Sequence, residues 1–297
     1  MISFNKNSDI IQIVAPASRP HGDCVKLLEQ GLEMLQDYGF NAYASKRIIS
    51  KEPYMFYANT LEERVRDFQD ALINEQVRII WCLRGGYGSC EVANMLLDFK
   101  IGAPKILIGF SDITSMHILF NQHLKLPSLH ANNIASCLRY PDSLQKVLST
   151  LSGVGTVLDL ISLNTPSFNN FVIEGEIAGG NLKVLTTLIG TALAPNFDNK
   201  ILILEDINEP SYAIMRDLMH LRYAGLLADI KAIIFGDFIQ ADGYLDQTLK
   251  EFSQNLEIPA FMTSGFGHGS INYPVVLGGK GKIINNILSA DFPYLIS

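Results

Sequence analysis

Apolar runs alternate with amphipathic segments along the first half of the chain. The runs at 9–16, 77–83 and 105–110 are short, rich in β-branched residues and bounded by turn residues, which is typical of buried strands. Between the first two runs, apolar residues recur at helical spacing over residues 24–40, and Gly39 supplies a stop signal. Alternation of this kind predicts a parallel β-sheet with helices on both faces.

The second half of the chain is mixed. The apolar runs at 201–206 and 231–238 predict two more strands, and the spacing over 211–225 predicts a helix that ends at a glycine. The segment PVVLGGKGKIINNILSA predicts a terminal hairpin that turns around Gly278–Gly281. We find no internal repeat and no low-complexity tract.

One segment interrupts both patterns. Residues 141–170 are rich in Ser, Thr and Asn, a composition typical of a connection between domains. We therefore predict an amino-terminal domain over 1–140, a linker over 141–170 and a carboxyl-terminal domain over 171–297.

Composition narrows the class of protein. The 297 residues are 48% hydrophobic and 18% charged, which is ordinary for a globular protein with a substantial core. The net charge of −7 argues against nucleic acid or an anionic membrane as the main partner. The amino terminus lacks a signal-peptide pattern, no apolar run approaches the roughly 18 residues of a membrane span, and the four cysteines form no C-x-x-C pair. We therefore expect a cytoplasmic protein that binds neither nucleic acid nor membrane.

The first candidate for chemistry is GFSDIT, where Ser111 and Asp112 follow an apolar run and precede an amphipathic segment. Both residue types are preferred helix caps, so capping is one sufficient explanation. A nucleophile is the other, because backbone N–H groups at a strand-to-helix turn stabilise a developing oxyanion. Ile113 stands where the nucleophile elbow G-x-S-x-G has its second glycine. This departure argues against an α/β-hydrolase, not against a serine nucleophile.

The second candidate is the turn RGGYGS, which follows a predicted strand. Its three glycines permit positive φ and let the backbone approach a ligand closely, although a plain tight turn also explains them. It matches neither the phosphate-binding loop nor the dinucleotide-binding fingerprint. Arg84 is more informative, because a charged side chain directly after an apolar strand requires an anion, a carbonyl group or solvent.

Acids and one histidine complete the candidates. Glu205, Asp206 and Glu209 lie at the end of an apolar run, where carboxylates commonly cap helices. Metal-binding motifs such as H-E-x-x-H are missing, so we expect no metal.

His268 lies between two glycines in GFGHGS, so no neighbouring side chain crowds its ring. The other histidines lie in contexts typical of the core, the surface or helix caps, and they are His21, His117, His123, His130 and His220. Ser111, Glu205 and His268 follow the chain order serine, acid, histidine, which is known from charge-relay triads.

Taken together, these motifs resemble the LD-carboxypeptidases, also called muramoyltetrapeptide carboxypeptidases, whose relatives include microcin C self-immunity peptidases. The resemblance extends from about Ile11 to about Gly279, and the segments that carry it are IVAPAS, RGGYGS, PKILIGFSDIT, the histidine His130 after a short strand, EGEIAGGNLKVLTTLIGT, LILEDINEPSY and GFGHG. Two departures are Ala131-Asn132, where the family has Gly-Pro, and the segment after GFGHG.

The resemblance implies an α/β fold with a Rossmann-like, parallel-sheet amino-terminal domain and a smaller, β-rich carboxyl-terminal domain. It also implies a site between these domains, in a homodimer, that needs no cofactor. Ser111 would be the nucleophile, His268 the general base and Glu205 the acid that orients it. The amide of Asp112 and one from the Gly85–Gly86 turn would form the oxyanion hole.

The implied substrate is a small peptide or muropeptide with a free carboxylate. Because a guanidinium suits a carboxylate, Arg84, next to Gly85, is our candidate for binding it. A structural pairing of Arg84 with Asp112 or Glu205 is the alternative.

Two other functions remain open, and a third is rejected. A microcin-immunity-type peptidase would cleave an acylated aminoacyl nucleotide; it needs an aromatic platform for the base, and the only tryptophan, Trp81, lies inside a predicted strand. A catalytically inactive protein that binds small molecules is the alternative of another class. An esterase of the α/β-hydrolase kind is rejected, because this chain lacks the second elbow glycine and is divided by a predicted linker.

Overall fold

The computed structural model describes residues 2–6, 8–164, 172–292 and 294–296. Its helices are α1 (Cys24–Asp37), α2 (Leu61–Ile73), α3 (Ser89–Met95), α4 (Thr114–Ile118), α5 (Ile134–Arg139), α6 (Pro141–Ser149), α7 (Leu182–Thr187), α8 (Ser211–Tyr223) and α9 (Leu245–Gln254). Its strands are β1 (Ile2–Phe4), β2 (Ile10–Val14), β3 (Asn41–Ala44), β4 (Val77–Cys82), β5 (Ile106–Gly109), β6 (Ser128–His130), β7 (Thr156–Asp159), β8 (Ile161–Ser162), β9 (Ile173–Asn181), β10 (Lys200–Ile207), β11 (Ala232–Ile239), β12 (Ala260–Met262), β13 (Val275–Leu277), β14 (Lys280–Ile284), β15 (Ile287–Ala290) and β16 (Tyr294–Ile296).

The first sheet confirms the parallel sheet predicted from the alternating pattern. Its strand order is β13-β6-β5-β4-β2-β3, and all neighbours are parallel except β13, which runs antiparallel to β6 at one edge. Successive side chains of a strand point to opposite faces. Ile79 and Trp81 of β4 therefore enter one hydrophobic core, whereas Ile80 and Cys82 enter the other. Both faces of the sheet are covered, which explains why its strands are apolar throughout.

The second sheet has more strands than the first and contains both parallel and antiparallel pairs. Its order is β7-β15-β14-β9-β10-β11-β12-β8, with a parallel centre from β9 to β12 and antiparallel strands on both sides. This arrangement confirms the fold class, a parallel-sheet amino-terminal region followed by a β-rich region. A short parallel pair, β1 with β16, lies apart from both sheets.

The described part of the predicted linker is folded. Residues 141–164 contain α6, β7 and β8, and the two strands form the outer edges of the second sheet. Leu144 and Val147 of α6 are buried in the core under the first sheet, and burial of these apolar side chains fixes the helix there. Residues 165–170 of the predicted linker lie outside the described residues. The domain boundaries at 140 and 171 stay predictions.

The predicted terminal hairpin is wrong in its position. Gly278 and Gly279 separate β13 from β14, Gly281 lies within β14, and the two strands belong to different sheets. The hairpin joins β14 to β15 instead, and it turns at Asn285 and Asn286, whose φ angles are 49° and 60°. A two-residue hairpin turn of this type needs two positive φ angles, which asparagine tolerates better than most residues.

No helix within the described ranges is long and apolar enough to cross a membrane.

Candidate active site

Ser111 lies on a sharp turn between β5 and α4. Its φ is 66°, a left-handed value that is uncommon for a residue other than glycine and that concentrates at functional sites. A Cβ atom on Gly109 would lie 2.9 Å from the Ile113 side chain, so the turn closes only because residue 109 is glycine. The first elbow glycine is therefore required, and Ile113 packs over it in place of the second.

The capping explanation for GFSDIT does not hold for Ser111. The helix after the turn has no side-chain cap, and the Ser111 hydroxyl makes no hydrogen bond to any described residue. Asp112 does act as a cap, but for another helix: its Oδ2 accepts a hydrogen bond of 2.9 Å from the backbone N–H of Ser89, at the start of α3. The Ser111 side chain is thus partly exposed, and its hydroxyl has no hydrogen-bond partner among the described residues.

The glycine turn after β4 lies against Ser111. A Cβ on Gly85 would be 3.0 Å from Ser111 Cβ and 3.3 Å from its Oγ. Gly86 has φ 106°, and a Cβ there would lie 2.5 Å from Ser18 Oγ, so only glycine fits. Within the described chain, the backbone N–H groups of Gly86 and Asp112 donate no hydrogen bond. Two backbone N–H groups without an acceptor, next to a serine hydroxyl, are what an oxyanion hole requires.

Glu205 and His268 are hydrogen bonded, although they are distant in sequence. His268 Nδ1 lies 2.6 Å from Glu205 Oε2, and the glutamate is fully buried on β10. The register between β10 and β11 shifts between Leu204 and Asp206, and a bulge of this kind re-aims the side chain at its centre. Gly267 has φ 126°, and a Cβ there would lie 2.9 Å from Glu205 Cβ and Oε2. Glycine before the histidine therefore lets its loop reach the carboxylate.

The charges of this pair stabilise each other. Burial alone would raise the pKa of Glu205, but the positive charge of His268 and hydrogen bonding lower it to about 2. Burial alone would lower the pKa of His268, but the charge of Glu205 and its hydrogen bond raise it above its ordinary value. Glu205 is thus ionised, and His268 can take up a proton near neutral pH.

Contacts between the two sheets bring this pair to the serine turn. The rings of Phe110 and His268 pack with centroids 4.8 Å apart, so the imidazole lies against the residue before Ser111. Thr114 Oγ1 donates to the Ser111 carbonyl over 2.8 Å and accepts a hydrogen bond of 2.9 Å from the backbone N–H of Asn181. Asn181 is the register partner of Glu205 on β9. No hydrogen bond joins Ser111 and His268 among the described residues, and in apo sites such bonds commonly tighten only when substrate binds.

Arg84 does not form the structural pairing considered as an alternative. Its guanidinium donates to the backbone carbonyl of Arg19 and lies 2.9 Å from His21 Nε2. Neither Asp112 nor Glu205 pairs with it in the described chain. The side chain is half-buried at the turn that carries Gly85.

His130 is a residue that the sequence interpretation assigned to an ordinary context and that the structure brings to the site. It ends β6, next to β5, and it is fully buried. Its Nε2 lies 3.8 Å from Glu205 Oε1. The available signal was its position in the motif order, at the end of the strand that follows the serine turn.

The two departures from the family pattern contact each other. The backbone carbonyl of Asn132 accepts a hydrogen bond of 3.0 Å from the indole of Trp81, and its Oδ1 accepts one of 2.9 Å from Asn272 Nδ2. Asn272 Oδ1 in turn accepts from the Gly267 N–H over 3.1 Å. The loop of His268 is therefore tied to the first sheet by a buried, satisfied network.

No group of three His, Cys, Asp or Glu side chains in the described ranges is arranged to hold a metal ion.

Comparison with known proteins gives consistent matches. The family model described as LD-carboxypeptidase N-terminal domain matches residues 11–131, and the one described as LD-carboxypeptidase C-terminal domain matches residues 174–283. A putative carboxypeptidase of Rickettsia conorii is 36% identical over 93% of this chain and 88% of its own length. The murein tetrapeptide carboxypeptidase of Pseudomonas aeruginosa is 31% identical over 88% of this chain and 89% of its own.

The solved structures include a similar fold. The crystal structure of muramoyltetrapeptide carboxypeptidase from Oxalobacter formigenes superposes with a TM-score of 0.78 at 24% identity, covering 97% of this chain and all of that one (100%). At that identity the likeness establishes the fold.

Proposed function

The chain belongs to the LD-carboxypeptidase family, and from this premise we propose that it is a serine carboxypeptidase that removes the terminal D-Ala from peptidoglycan-derived tetrapeptides. The observation that carries the proposal is the buried Glu205–His268 pair, with 2.6 Å between Oε2 and Nδ1, lying against the strained turn of Ser111. An oriented imidazole beside an unbonded serine hydroxyl is the arrangement that acyl transfer requires.

In the proposed reaction, Ser111 Oγ attacks the carbonyl carbon of the bond between the L-centre of a diamino acid and D-Ala. His268 accepts the hydroxyl proton on Nε2 and later donates it to the amine of the departing D-Ala. Water then attacks the acyl carbonyl and gives a proton to His268; the bond to Ser111 Oγ breaks, the shortened peptide leaves as a carboxylate, and His268 returns the proton to Oγ. Glu205 holds the Nδ1–H tautomer and stabilises the imidazolium that forms twice in the cycle.

We assign the stabilisation of the oxyanion to backbone N–H groups in the turns around Ser111. The free N–H groups of Gly86 and Asp112 would donate to it, each contributing about 3 kcal/mol to the transition state. The φ of 66° at Ser111 supports this role, because it turns the backbone at the point where the N–H of Asp112 must face the new oxygen.

The substrate carboxylate is assigned to Arg84. Its half-buried guanidinium contacts the Arg19 carbonyl and the His21 ring rather than an acid, so no neighbouring carboxylate neutralises its charge. A terminal carboxylate of D-Ala, or of a muropeptide that carries it, would supply that charge. We extend the proposal to a cytoplasmic homodimer that acts in cell-wall recycling without a cofactor.

The first prediction tests the nucleophile. Ser111→Ala should lower D-Ala release at least about 10³-fold, because the other triad members cannot act without the serine. Release is measured by mass spectrometry of a defined tetrapeptide, with a version ending in L-Ala for comparison. Ser289→Ala, at an exposed position of β15, is the matched control and should keep full activity. Retained activity in a folded Ser111→Ala protein would exclude the mechanism.

The same assay also tests a second class of substrate, the acylated aminoacyl nucleotides. Exposed Phe56 and Tyr87, whose ring centroids are 5.4 Å apart, lie next to the Gly86 turn and offer a surface for a nucleobase. Trp81 cannot do so, because it is fully buried. Faster cleavage of an acylated aminoacyl sulfamoyl adenylate than of the tetrapeptide would favour the microcin-immunity type. Failure of a serine-directed phosphonate to label Ser111 would favour an inactive binding protein.

A further inference from the structure

Two buried polar groups face each other at the site without a hydrogen bond. Glu205 Oε2 is bonded to His268, but Oε1 has no partner, and neither ring nitrogen of His130 has one. Both side chains are fully buried. Buried polar atoms in native proteins are almost always satisfied, so this pair requires an explanation.

The separation between them is small. His130 Nε2 lies 3.8 Å from Glu205 Oε1, and a charge-assisted hydrogen bond would need roughly 2.8 Å. His130 ends β6 opposite Gly109 of β5, so it belongs to the sheet of Ser111. Glu205 belongs to the other sheet. A closure of about 1 Å between the sheets would therefore complete the bond.

The surroundings leave His130 with few other partners. Its ring is packed by Phe110 and Phe266, at centroid distances of 6.0 Å and 4.4 Å, and by His117 at 5.9 Å. His117 is engaged through both nitrogens, with Ser128 Oγ and the Gly109 carbonyl. Burial lowers the pKa of His117 to about 3, so that ring is neutral.

The other charged groups near the pair are already satisfied. Asp206 accepts hydrogen bonds from the Asn181 side chain and from the backbone N–H groups of Lys183 and Ile207. Asp237 accepts one from the backbone N–H of Gly265. Glu205 Oε1 thus remains as the unsatisfied acceptor that faces His130.

We propose that His130 is a positioning residue, whose Nε2–H donates to Glu205 Oε1 and fixes the carboxylate from the nucleophile's side of the cleft. The carboxylate is then held by a histidine on each oxygen, His130 from the first sheet and His268 from the loop between β12 and β13. This inference rests on the proposed triad. It assigns to His130 no contact with the substrate, only the alignment of Glu205, and through it of His268.

Two consequences separate this role from simple packing. Without the donor, Glu205 is held through Oε2 alone and is aligned less strictly, so kcat should fall while KM changes little. The donor also disperses the negative charge of Glu205, so its loss should raise the pKa of His268. The acidic limb of the kcat/KM profile should then move to higher pH, because the base must be neutral to act.

The test compares His130→Gln, which keeps an N–H donor at similar reach, with His130→Met, which has similar length and no donor. The methionine variant should lose about 10–100-fold in kcat, a typical cost of removing a group that orients a catalytic ligand, and its acidic limb should move up. The glutamine variant should stay near wild type in both. Packing alone predicts the opposite order, because the aromatic pocket suits methionine better than a polar amide.

Failure of this inference is distinguishable from failure of the proposed function. A wild-type enzyme that releases D-Ala, with His130→Met equal to or faster than His130→Gln, would overturn the role of His130 alone. NMR titration of the His268 ring needs no substrate, and an unchanged pKa in His130→Met would also overturn it. If that variant does not fold, the wild-type ¹⁵N spectrum decides: the proton must reside on Nε2 of His130, and a proton on Nδ1 alone contradicts the proposal.

Discussion

The backbone at Ser111 forms a sharp strand-to-helix turn although the local sequence departs from the elbow motif. A positive φ at serine is unfavourable by about 1 kcal/mol or more, and the surrounding structure must enforce it. Here Gly85 packs against the side chain, and Thr114 holds the Ser111 carbonyl. The elbow forms although Ile113 replaces its second glycine, because the close contact falls on Gly109 instead.

The charge of Glu205 sets the pH dependence of the proposed reaction. Because it raises the pKa of His268, kcat/KM should rise with pH through a midpoint above the ordinary histidine value of about 6.5. In Glu205→Gln the charge is lost while burial remains, so the midpoint should move to lower pH. The plateau should also fall, by up to about 10⁴-fold, because the imidazole tautomer is no longer fixed. The measurement is the pH profile of kcat/KM.

The control for this profile is Glu257→Gln, an exposed position before β12 and thus at the sheet edge opposite the site. It should leave both midpoint and plateau unchanged. A Glu205→Gln midpoint at or above that of wild type would contradict the assigned coupling of His268 to Glu205.

Among single residues, the sequence was most informative where chemistry and unusual neighbours coincide. Ser111 after a strand and His268 between glycines both stand out in the printed sequence. His130 does not, because a buried histidine at a strand end has the same local pattern whether it packs or aligns a carboxylate. Its partner lies 75 positions away, and only the contact at 3.8 Å between the two side chains marks it.

At the scale of elements, the bulge in β10 and the loop before His268 must fit together. The loop can approach Glu205 because Gly267 carries no Cβ. Gly267→Ala should move the loop away, lowering kcat about 100-fold, since a displacement of about 1 Å in a catalytic group can have that effect. It should also lower the free energy of unfolding by more than the roughly 1 kcal/mol expected from a positive φ alone. Turnover and thermal unfolding are the two measurements.

Gly190→Ala is the control for Gly267→Ala, because it separates the backbone strain of a positive φ from the steric crowding of an added Cβ. Gly190 has φ 82°, but a Cβ there would meet nothing within 4 Å. This variant should show only the modest loss of stability and normal turnover. Equal effects of the two substitutions on kcat would contradict the close fit between Gly267 and Glu205.

The buried strands, which the apolar runs in the sequence indicate by themselves, were predicted correctly. The apolar runs became β2, β4, β5, β10 and β11, because a strand covered on both faces must be apolar throughout. The hairpin was misplaced because the glycines near 278 join strands of different sheets, and such a connection leaves no local periodicity. The strands within 141–164 were not predicted because both are short edge strands in a polar segment.

At the scale of the whole molecule, the candidate site exists only where the two sheets meet. Thr114 bridges them by bonding both the Ser111 carbonyl and the Asn181 N–H. Thr114→Val keeps the shape but leaves the buried backbone N–H of Asn181 unpaired, so we expect a loss of about 1–3 kcal/mol in unfolding free energy, together with lower kcat. Calorimetry and turnover would measure these changes.

The matched control is Thr187→Val, on the exposed side of α7, where the hydroxyl bonds only within its own helix. It should change neither quantity appreciably. A Thr114→Val protein with normal kcat would show that the sheets align without this bridge.

The alternation of strands and helices was enough to predict the first sheet, and the chain order of serine, acid and histidine was enough to predict which side chains to look for. What the pattern could not supply is the way the sheets face each other. The contacts of Thr114 with Asn181 and of Asn132 with Asn272 join residues 67 and 140 positions apart. Such pairings depend on the packing of whole layers, which no local window contains.

The course of the chain after His268 determines whether the first sheet can exist as a separate fragment. The chain crosses back to the first sheet as β13, covers the edge at β6, and only then returns to the second sheet as β14. A fragment that held strands β2 to β6 without β13 would leave that edge open to pairing with other chains. The two halves of the chain should therefore be produced together, even though each has a sheet of its own.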